Sequence, residues 1–310
     1  MYFPYLRGKQ YELIAIRELL EKELLSEKII PIIEPIKPNT TLLKTLEAFV
    51  ERGRKIGFII NPEVGRYAEE FNSLKSTELK NSLLKTINEK FVLKAFIFNK
   101  DIPYESLIMY NVEKEDLIVF VMSNDYIDGY KETYNSSHPF FNIIPSDKLR
   151  IKRNVKGPIG ILSDSFPKKD RNVDYLESVD NDFSDHHLFY NDEGYQGFSD
   201  YSIVGSNFVE SGFAPMAIAI HIVYFKDKEL RIRHFVSESN EDISDPAGKF
   251  YEALEKLVEW NKTMGLNTYA INEFEEHYHQ GTYRGLGYVK KLSIMHHLEL
   301  MGNYLDEEDV

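Results

Sequence analysis

Short apolar runs recur along the first half of the chain, and this feature constrains the fold more than any other. Stretches with the residue spacing of amphipathic helices separate the runs. The runs occupy residues 2–7, 29–36, 55–61, 93–99, 117–122, 140–144 and 158–162. Fully apolar strands that alternate with helices are typical of a parallel sheet covered on both faces. The pattern therefore predicts an α/β fold, a TIM-barrel-like (β/α) barrel.

The chain length fits one barrel-like domain, although the composition and the strand–helix pattern of the sequence change midway. Its 310 residues lie within the usual size of a single α/β barrel. Regular strand–helix units are predicted for residues 1–163, and residues 164–310 hold an acidic region, a β-hairpin and terminal helices. We interpret residues 164–200 as a long ordered loop, because disordered acidic tails lack the aromatic side chains found here.

A β-hairpin is the clearest prediction in the second half. Two apolar runs, 217–225 and 230–236, flank a turn centred on residues 227–228. A two-residue turn would place His221 directly opposite His234 on one face of the hairpin.

Two helices are predicted after the hairpin. Asp245 followed by Pro246 is a favourable helix start, and the helix that follows is expected to end at Gly265. A terminal helix is expected over residues 289–304.

Composition and charge exclude several classes of protein. The absence of cysteine excludes thiolate metal sites and thiol nucleophiles, and it indicates a reducing compartment. The opening residues lack the basic leader of a signal peptide, and no apolar run approaches the ~18 residues that a membrane span needs. A cytoplasmic protein is therefore expected. The formal net charge of −13 disfavours generic coating of nucleic acids, but it leaves room for a local basic pocket that admits one small anion.

Polar residues lie where the predicted strands end, at positions that would form one rim of a barrel. Lys9 follows the first strand, Glu34 lies within the second, and Asp164 follows the seventh. Active sites of such barrels are built at this rim, so we predict that these three residues are catalytic. The alternative is that the polar residues simply begin loops. An unpaired charge inside an apolar strand would be costly, and this argues for a function or a partner at Glu34.

Two further residues near the rim are predicted to bind substrate. Arg7 and Lys9 flank a glycine at a strand-to-helix turn, where two cations and the first helical amides could surround an anion. Asn61 ends the third strand. The alternative for the Arg7–Lys9 turn is a surface turn with two solvated charges.

The acidic region is expected to complete the same pocket. Asp170 and Asp185 are its catalytic candidates, and Arg171 is a candidate for substrate binding. The mixed charges around Arg171 fit either an anion clamp or a loop that pairs its charges internally. Asp185, His186 and His187 are also ligand types for a divalent metal ion, which is the one candidate cofactor. The alternative is a solvated acidic turn, because the segment does not match an EF-hand.

The facing histidines of the hairpin are the last candidate site. Two imidazoles on one apolar face cannot both be charged without a large cost in free energy, so one or both should be neutral near pH 7. His221 and His234 are predicted to act as a general base or as metal ligands, with Asp200 as a carboxylate that orients them. Asp200 is also a candidate for substrate binding. The alternative is a pair of core histidines that are satisfied by hydrogen bonds.

The chain resembles the beta-protein family, which is named for a bacteriophage protein and includes bacterial relatives. The resemblance spans nearly the whole sequence, and it rests on the segments MYFPYLRGKQYELIAIRELL, IIPIIEPIK, FPKKDRNVDY, FSDHHLFYNDEGYQGFSDYSIVG and AIAIHIVYF with LRIRHF. It implies a barrel-like protein of phages and mobile elements, with a role in phage–host conflict. It implies no established activity and no catalytic residue.

Two functions are compatible with these features. The first is a barrel-type enzyme, such as a hydrolase, that acts on a small anionic substrate carrying a nucleotide or phosphate group. The second is a noncatalytic module that grips a partner protein, because interfaces are rich in aromatic anchors. The aromatic residues that suggest the second function are Phe183, Phe189, Tyr190, Tyr195, Phe198 and Tyr201.

Overall fold

The computed structural model describes residues 1–99, 102–210 and 215–307. Its strands are β1 (Tyr5–Leu6), β2 (Ile32–Ile33), β3 (Ile56–Ile59), β4 (Val92–Ile97), β5 (Ile118–Phe120), β6 (Phe141–Pro145), β7 (Ile159–Ser163), β8 (Asp180–Ser184), β9 (Gly197–Asp200), β10 (Ala219–Lys226) and β11 (Glu229–Val236). Its α-helices are α1 (Gln10–Glu21), α2 (Thr40–Glu51), α3 (Tyr67–Asn72), α4 (Thr77–Ile87), α5 (Tyr104–Met109), α6 (Ile127–Thr133), α7 (Leu149–Lys152), α8 (His186–Phe189), α9 (Pro246–Met264), α10 (Tyr269–Gln280) and α11 (Leu286–Glu307). Short 3-10 helices occupy Lys114–Asp116, Asn124–Tyr126, Asn172–Glu177 and Ser202–Val204.

The chain forms two compact units. The first unit contains β1 to β7, β9 and α1 to α8, and it combines Met1–Glu21, Glu27–Asp164 and His186–Tyr201. The second unit contains β8, β10, β11 and α9 to α11, and it combines Lys22–Ser26, Ser165–Asp185 and the chain from Ser202 onward. Across the described ranges, no helix is both long enough and apolar enough to cross a membrane.

The first unit is a barrel of eight parallel strands. The strands follow each other in the order β1, β2, β3, β4, β5, β6, β7 and β9. The residues before β1 bring the two ends of this sheet together, because the N–H of Phe3 donates to the carbonyl of Phe198 at 2.8 Å. The N–H of Phe198 in turn donates to the carbonyl of Met1 at 3.1 Å. The predicted TIM-barrel-like α/β fold is confirmed.

Apolar side chains fill the interior of this barrel. Neighbouring residues of a strand point to opposite faces, so every second residue faces inward. The buried interior cluster consists of Phe3, Tyr5, Ile30, Ile32, Ile59, Ala95, Ile97, Ile118, Phe120, Phe141, Ile143, Leu162 and Tyr201. Continuing this alternation by two residues brings Arg7, Glu34 and Asp164 to the C-terminal rim.

The eighth strand of the barrel lies inside the segment that the sequence presents as a loop. Residues 164–200 contain β8, α8 and β9, so the interpretation of one long ordered loop was wrong. β9 is only four residues long and begins with a glycine, so it lacks the apolar run that marks the other strands. Gly197 is needed for close packing, because a Cβ there would lie 2.7 Å from the ring of Phe3 and 2.9 Å from the carbonyl of Met1.

The second unit is built on a three-stranded antiparallel sheet. The strand order is β10, β11, β8, and His221 pairs with His234 as predicted. Asp227 and Lys228 form the turn with φ of 52° and 73°, the left-handed conformation that two-residue hairpin turns favour.

Two long helices cover the hairpin of this unit. The indole of Trp260 in α9 lies 5.1 Å from the ring of Tyr224. The imidazole of His296 in α11 bonds the carbonyl of Val223 at 2.7 Å. The predicted start of α9 is confirmed, since the side chain of Asp245 accepts from the N–H of Gly248, and the helix is capped by Gly265.

Candidate functional site

β1 and β2 each deliver a charged side chain to the C-terminal rim of the barrel. Arg7 lies two residues beyond the inward-facing Tyr5, and Glu34 lies two residues beyond Ile32. The chain turns between β1 and α1 at Gly8, whose φ is +62°. A Cβ at Gly8 would lie 3.0 Å from the carbonyl oxygen of Glu34, so both this close approach and the positive φ favour glycine at the turn.

The carboxylate of Glu34 is fully buried and receives four hydrogen bonds. Its Oε2 accepts from the hydroxyl of Tyr5 at 2.7 Å and from the guanidinium of Arg7. Its Oε1 accepts from the backbone N–H groups of Glu63 at 2.7 Å and Val64 at 3.3 Å. Four donors on its two oxygens fix the position of this side chain. This arrangement suits Glu34 to positioning Arg7 rather than to the predicted transfer of a proton.

Arg7 is a fixed cation at the rim. Its guanidinium carbon lies 5.0 Å from the ring centre of Tyr5 and 5.3 Å from that of Tyr201, and its side chain is 12% exposed. Burial opposes the charge, but Tyr5 and Glu34 more than offset burial and raise the pKa of Arg7. We call Tyr5, Arg7, Glu34 and Tyr201 the rim cluster.

Both tyrosines of the rim cluster have raised pKa values, which keep their phenols neutral near pH 7. Burial, reinforced by Glu34, raises the pKa of Tyr5 well above its ordinary value. Burial also raises the pKa of Tyr201 to about 12, where the cation of Arg7 lowers it and the charge of Asp164 raises it. The exposed carboxylate of Asp164 is therefore close enough to the rim cluster to act on it electrostatically.

The amide of Asn61 has a structural role. Its Nδ2 donates to the carbonyl of Ile97 at 2.8 Å, and its Oδ1 accepts from the N–H of the same residue at 2.9 Å. These bonds continue the pairing of β3 with β4 beyond the end of β3. Both the nitrogen and the oxygen of the amide that was predicted to bind substrate therefore have partners in the backbone.

Lys9 and Glu34 lie at the same end of the barrel, since each follows the C-terminal end of its strand. Lys9 precedes the first residue of α1, and its N–H donates to the carboxylate of Glu12 at 3.4 Å. The carboxylate of Glu12 thus already accepts a hydrogen bond at the start of this helix, where an external anion was predicted to bind.

Asp200 bonds a tyrosine within the barrel unit. Its carboxylate is buried and accepts from the hydroxyl of Tyr2 at 2.7 Å. Burial, followed by the charge of Asp200 and this bond, raises the pKa of Tyr2 well above its ordinary value, and the contact gives Asp200 a structural role. The side chain that orients His234 is instead Asn181, whose Oδ1 lies 3.1 Å from Nε2 of the imidazole.

The other candidates from the acidic region belong to the second unit. Asp170 and Asp185 are exposed there, whereas Lys9, Glu34 and Asp164 belong to the barrel unit. Arg171 pairs with Asp174 through its side chain at 2.8 Å and through its backbone N–H at 3.2 Å. This pairing favours the internally paired loop over the anion clamp.

The metal prediction has no support from the geometry. Asp185 directly precedes α8, and the first two residues of this helix are His186 and the buried His187. Among the residues that the structure describes, no group of three or more His, Asp or Glu side chains is arranged to hold a metal ion.

The histidine pair is a hydrogen-bonded part of the packed second unit. Nδ1 of His221 lies 2.7 Å from Nδ1 of His234, so one ring donates and the other accepts. Burial lowers the pKa of His234 to about 4, and burial with the neighbouring His234 lowers the pKa of His221 well below its ordinary value. The ring of Tyr175 lies 4.4 Å from that of His234. Both rings are therefore neutral near pH 7, and the packing favours core histidines over a general base.

The aromatic residues that suggested a protein-binding surface are mostly internal. Phe183, Tyr195, Phe198 and Tyr201 are buried, and Phe189 is exposed. Because these rings pack the cores of the two units, they give little support to a partner surface on residues 180–201, and the noncatalytic alternative stays a prediction.

Two members of the rim cluster were missed at the level of sequence. Tyr5 carries a detectable signal, since it shares a strand face with Arg7. Tyr201 carries none, because β9 was not recognised as a strand.

No family model matches the chain, and no curated protein matches it.

Proposed function

We propose that the barrel unit is an enzyme that binds a small anionic substrate, carrying a nucleotide or phosphate group, at the rim cluster. The observation that carries this proposal is the guanidinium of Arg7, which is held by the buried Glu34 at the rim where barrel enzymes build their active sites. A guanidinium fixed in this way needs little reordering when an oxyanion binds.

The neighbouring side chains have complementary roles in this proposal. Glu34 positions Arg7, and the neutral hydroxyl of Tyr201 donates to the bound anion. Asp164 is the general acid or base, because its exposed carboxylate follows β7, the strand that pairs with β9, and raises the pKa of Tyr201. Lys9 adds a second positive charge at the same rim.

Calorimetry with pyrophosphate and adenosine monophosphate tests the binding step. The double variant Arg7→Gln/Glu34→Gln removes the cation without leaving a buried charge unpaired. Its matched control is Arg17→Gln/Glu21→Gln, which removes an ion pair of the same composition from the surface of α1. We expect at least one probe to bind the wild type, and the rim variant to bind it about tenfold or more weakly, since a charge-assisted hydrogen bond contributes ~1.5–3 kcal/mol.

Two results would overturn the binding step. One is failure of the wild type to bind either probe at millimolar concentration. The other is equal weakening by the rim variant and by the control, which would assign binding to general charge.

The chemical step is tested by release of phosphate from a panel of phosphate esters. Asp164→Asn should lower turnover about 100-fold and leave probe affinity within about twofold, because a general acid or base acts mainly on the chemical step. Asp128→Asn, an exposed substitution on α6, is the control. Equal turnover in the two variants would remove Asp164 from the mechanism.

The association with phages remains a prediction that rests on the resemblance to the beta-protein family. Plating efficiency of phages on cells that express the wild type or the two double variants would test it. Protection that disappears in Arg7→Gln/Glu34→Gln and persists in the control would link the association to the rim cluster.

A further inference from the structure

Helix α5 is a short helix of the barrel unit that buries none of its residues. Tyr104 is 71% exposed, Ile108 is 62% exposed and Met109 is 40% exposed. By contrast, α2 buries Leu42, Leu46 and Phe49. A helix of two turns gains too little from its own hydrogen bonds to be stable in water, so it usually depends on a packed apolar face. The apolar face of α5 is turned to solvent instead.

This face borders a groove of about 340 Å³. The groove is lined by Tyr104, Leu107, Ile108, Asn111, Val112 and Glu113. Tyr104 and Ile108 are one helical turn apart, and Val112 adds an apolar side chain to the groove beyond the end of the helix. A row of apolar side chains at this spacing matches the ridge of a second helix.

The segment that forms the groove carries negative charge. Residues 102–113 contain Glu105 and Glu113 and include no Lys, Arg or His. The next cation along the chain, Lys114, donates from its ammonium to the carbonyl of Thr133 at 2.6 Å. A segment that docks here would gain from basic side chains beside its apolar anchors.

The same charges oppose a second copy of this chain as the occupant. A two-fold contact through α5 would bring two copies of this acidic segment together, between molecules that each carry a formal net charge of −13. They also oppose a surface of anionic lipid. We propose that the α5 groove binds an amphipathic helix of a partner protein whose apolar face is flanked by lysine or arginine. This surface is separate from the rim cluster, and the inference does not depend on the proposed enzyme activity.

Fluorescence anisotropy with two synthetic peptides tests this inference. The first probe is an amphipathic helical peptide of leucine and lysine, and the second has glutamate in place of each lysine. Ile108→Asp disrupts the groove, and Ile243→Asp is the matched control, because both isoleucines are 62% exposed and Ile243 lies in the second unit. Since both side chains are already exposed, neither substitution should prevent folding, and circular dichroism will verify this.

The expected result is saturable binding of the lysine peptide by the wild type at physiological salt. Ile108→Asp should weaken this binding about tenfold or more, as loss of an interface anchor does, and Ile243→Asp should leave it within about twofold. Glu105→Lys/Glu113→Lys should shift the preference to the glutamate peptide.

Several outcomes would overturn the inference. Absence of binding, or equal binding by the two aspartate variants, would show that the peptide responds only to the net charge of the chain. A dimer of the wild type that Ile108→Asp abolishes in sedimentation would assign the groove to a second copy. Binding to phosphatidylserine vesicles that the same substitution abolishes would assign it to a membrane.

Discussion

Glu34 shows how one residue can carry a charge inside an otherwise apolar run of sequence. Four donors surround its carboxylate, and two of them are backbone N–H groups that follow β3. The bonds compensate for the loss of water around the charge, which burial would otherwise make costly. The result is an arginine whose position at the rim depends on its partner.

This dependence predicts unequal effects of single and double substitutions. Arg7→Gln alone should lower the free energy of unfolding by about 3 kcal/mol, because it leaves the buried Glu34 without its cation. The double variant Arg7→Gln/Glu34→Gln should regain at least about 1 kcal/mol of that loss. Urea unfolding measures both values. Arg66→Gln, which breaks an exposed ion pair with Glu70, should cost less than about 0.5 kcal/mol. Equal costs at the two sites would mean that the buried pair is not coupled.

Buried histidines of the second unit predict a loss of stability in mild acid. The pKa of His234 and that of His296 are each lowered to about 4 by burial, while the unfolded chain has ordinary values near 6.5. Between these limits the unfolded state binds more protons, so the stabilising effect is present above about pH 6.5 and decreases as the pH falls towards 4.

Unfolding free energies at pH 7 and pH 5 measure this effect. Each such histidine should contribute a loss of about 2 kcal/mol between these pH values. His234→Gln should reduce the pH dependence by about that amount, and His279→Gln, at an exposed position, should leave it unchanged. An identical pH dependence in the two variants would contradict the assignment.

At the scale of elements, β9 contributes the close contact between the two ends of the barrel sheet. Gly197→Ala should lower the free energy of unfolding by about 2 kcal/mol, because the added methyl group meets both Phe3 and the backbone of Met1. Gly129→Ala in α6 is the control, since its Cβ would have only ordinary contacts, the nearest at 3.6 Å from Phe98. A neutral effect of Gly197→Ala would mean that the ends of the sheet are not held together at this residue.

The elements that sequence reasoning could predict were those with a local signal. Seven barrel strands are apolar runs that need no knowledge of their neighbours. The pairing of His221 with His234 follows from the symmetry of a two-residue turn. β9 could not be predicted, because Gly197 is explained only by its distant contact with Phe3.

The candidate site was predictable only in part for the same reason. The positions of Arg7 and Glu34 at the rim follow from strand alternation. Their contact does not, because it depends on the register between β1 and β2, which no local pattern specifies. The donors from the backbone of Glu63 and Val64 depend on a loop conformation and carry no sequence signal.

At the scale of the whole molecule, the chain leaves the barrel unit and returns to it. Residues 165–185 belong to the second unit, and His186–Tyr201 then supplies β9 to the first. A fragment of residues 1–164 would therefore lack one barrel strand and leave β7 without a neighbour on one side. Unpaired strand edges are unfavourable and prone to aggregation.

We therefore expect the 1–164 fragment to be soluble and folded only when β9 is restored. A fragment that joins residues 1–164 to residues 186–201 through a flexible linker is the matched comparison. Circular dichroism and amide proton dispersion in NMR spectra measure the folded state of each. A fully folded 1–164 fragment would contradict the role given to β9.

The most direct test of the proposed function is a crystal structure of the protein grown with saturating pyrophosphate. We predict an anion oxygen within ~3 Å of the guanidinium of Arg7, in the range of a charge-assisted hydrogen bond, and a second contact from the hydroxyl of Tyr201. A pyrophosphate bound elsewhere, or a rim cluster without the anion at a concentration that saturates binding in solution, would contradict it.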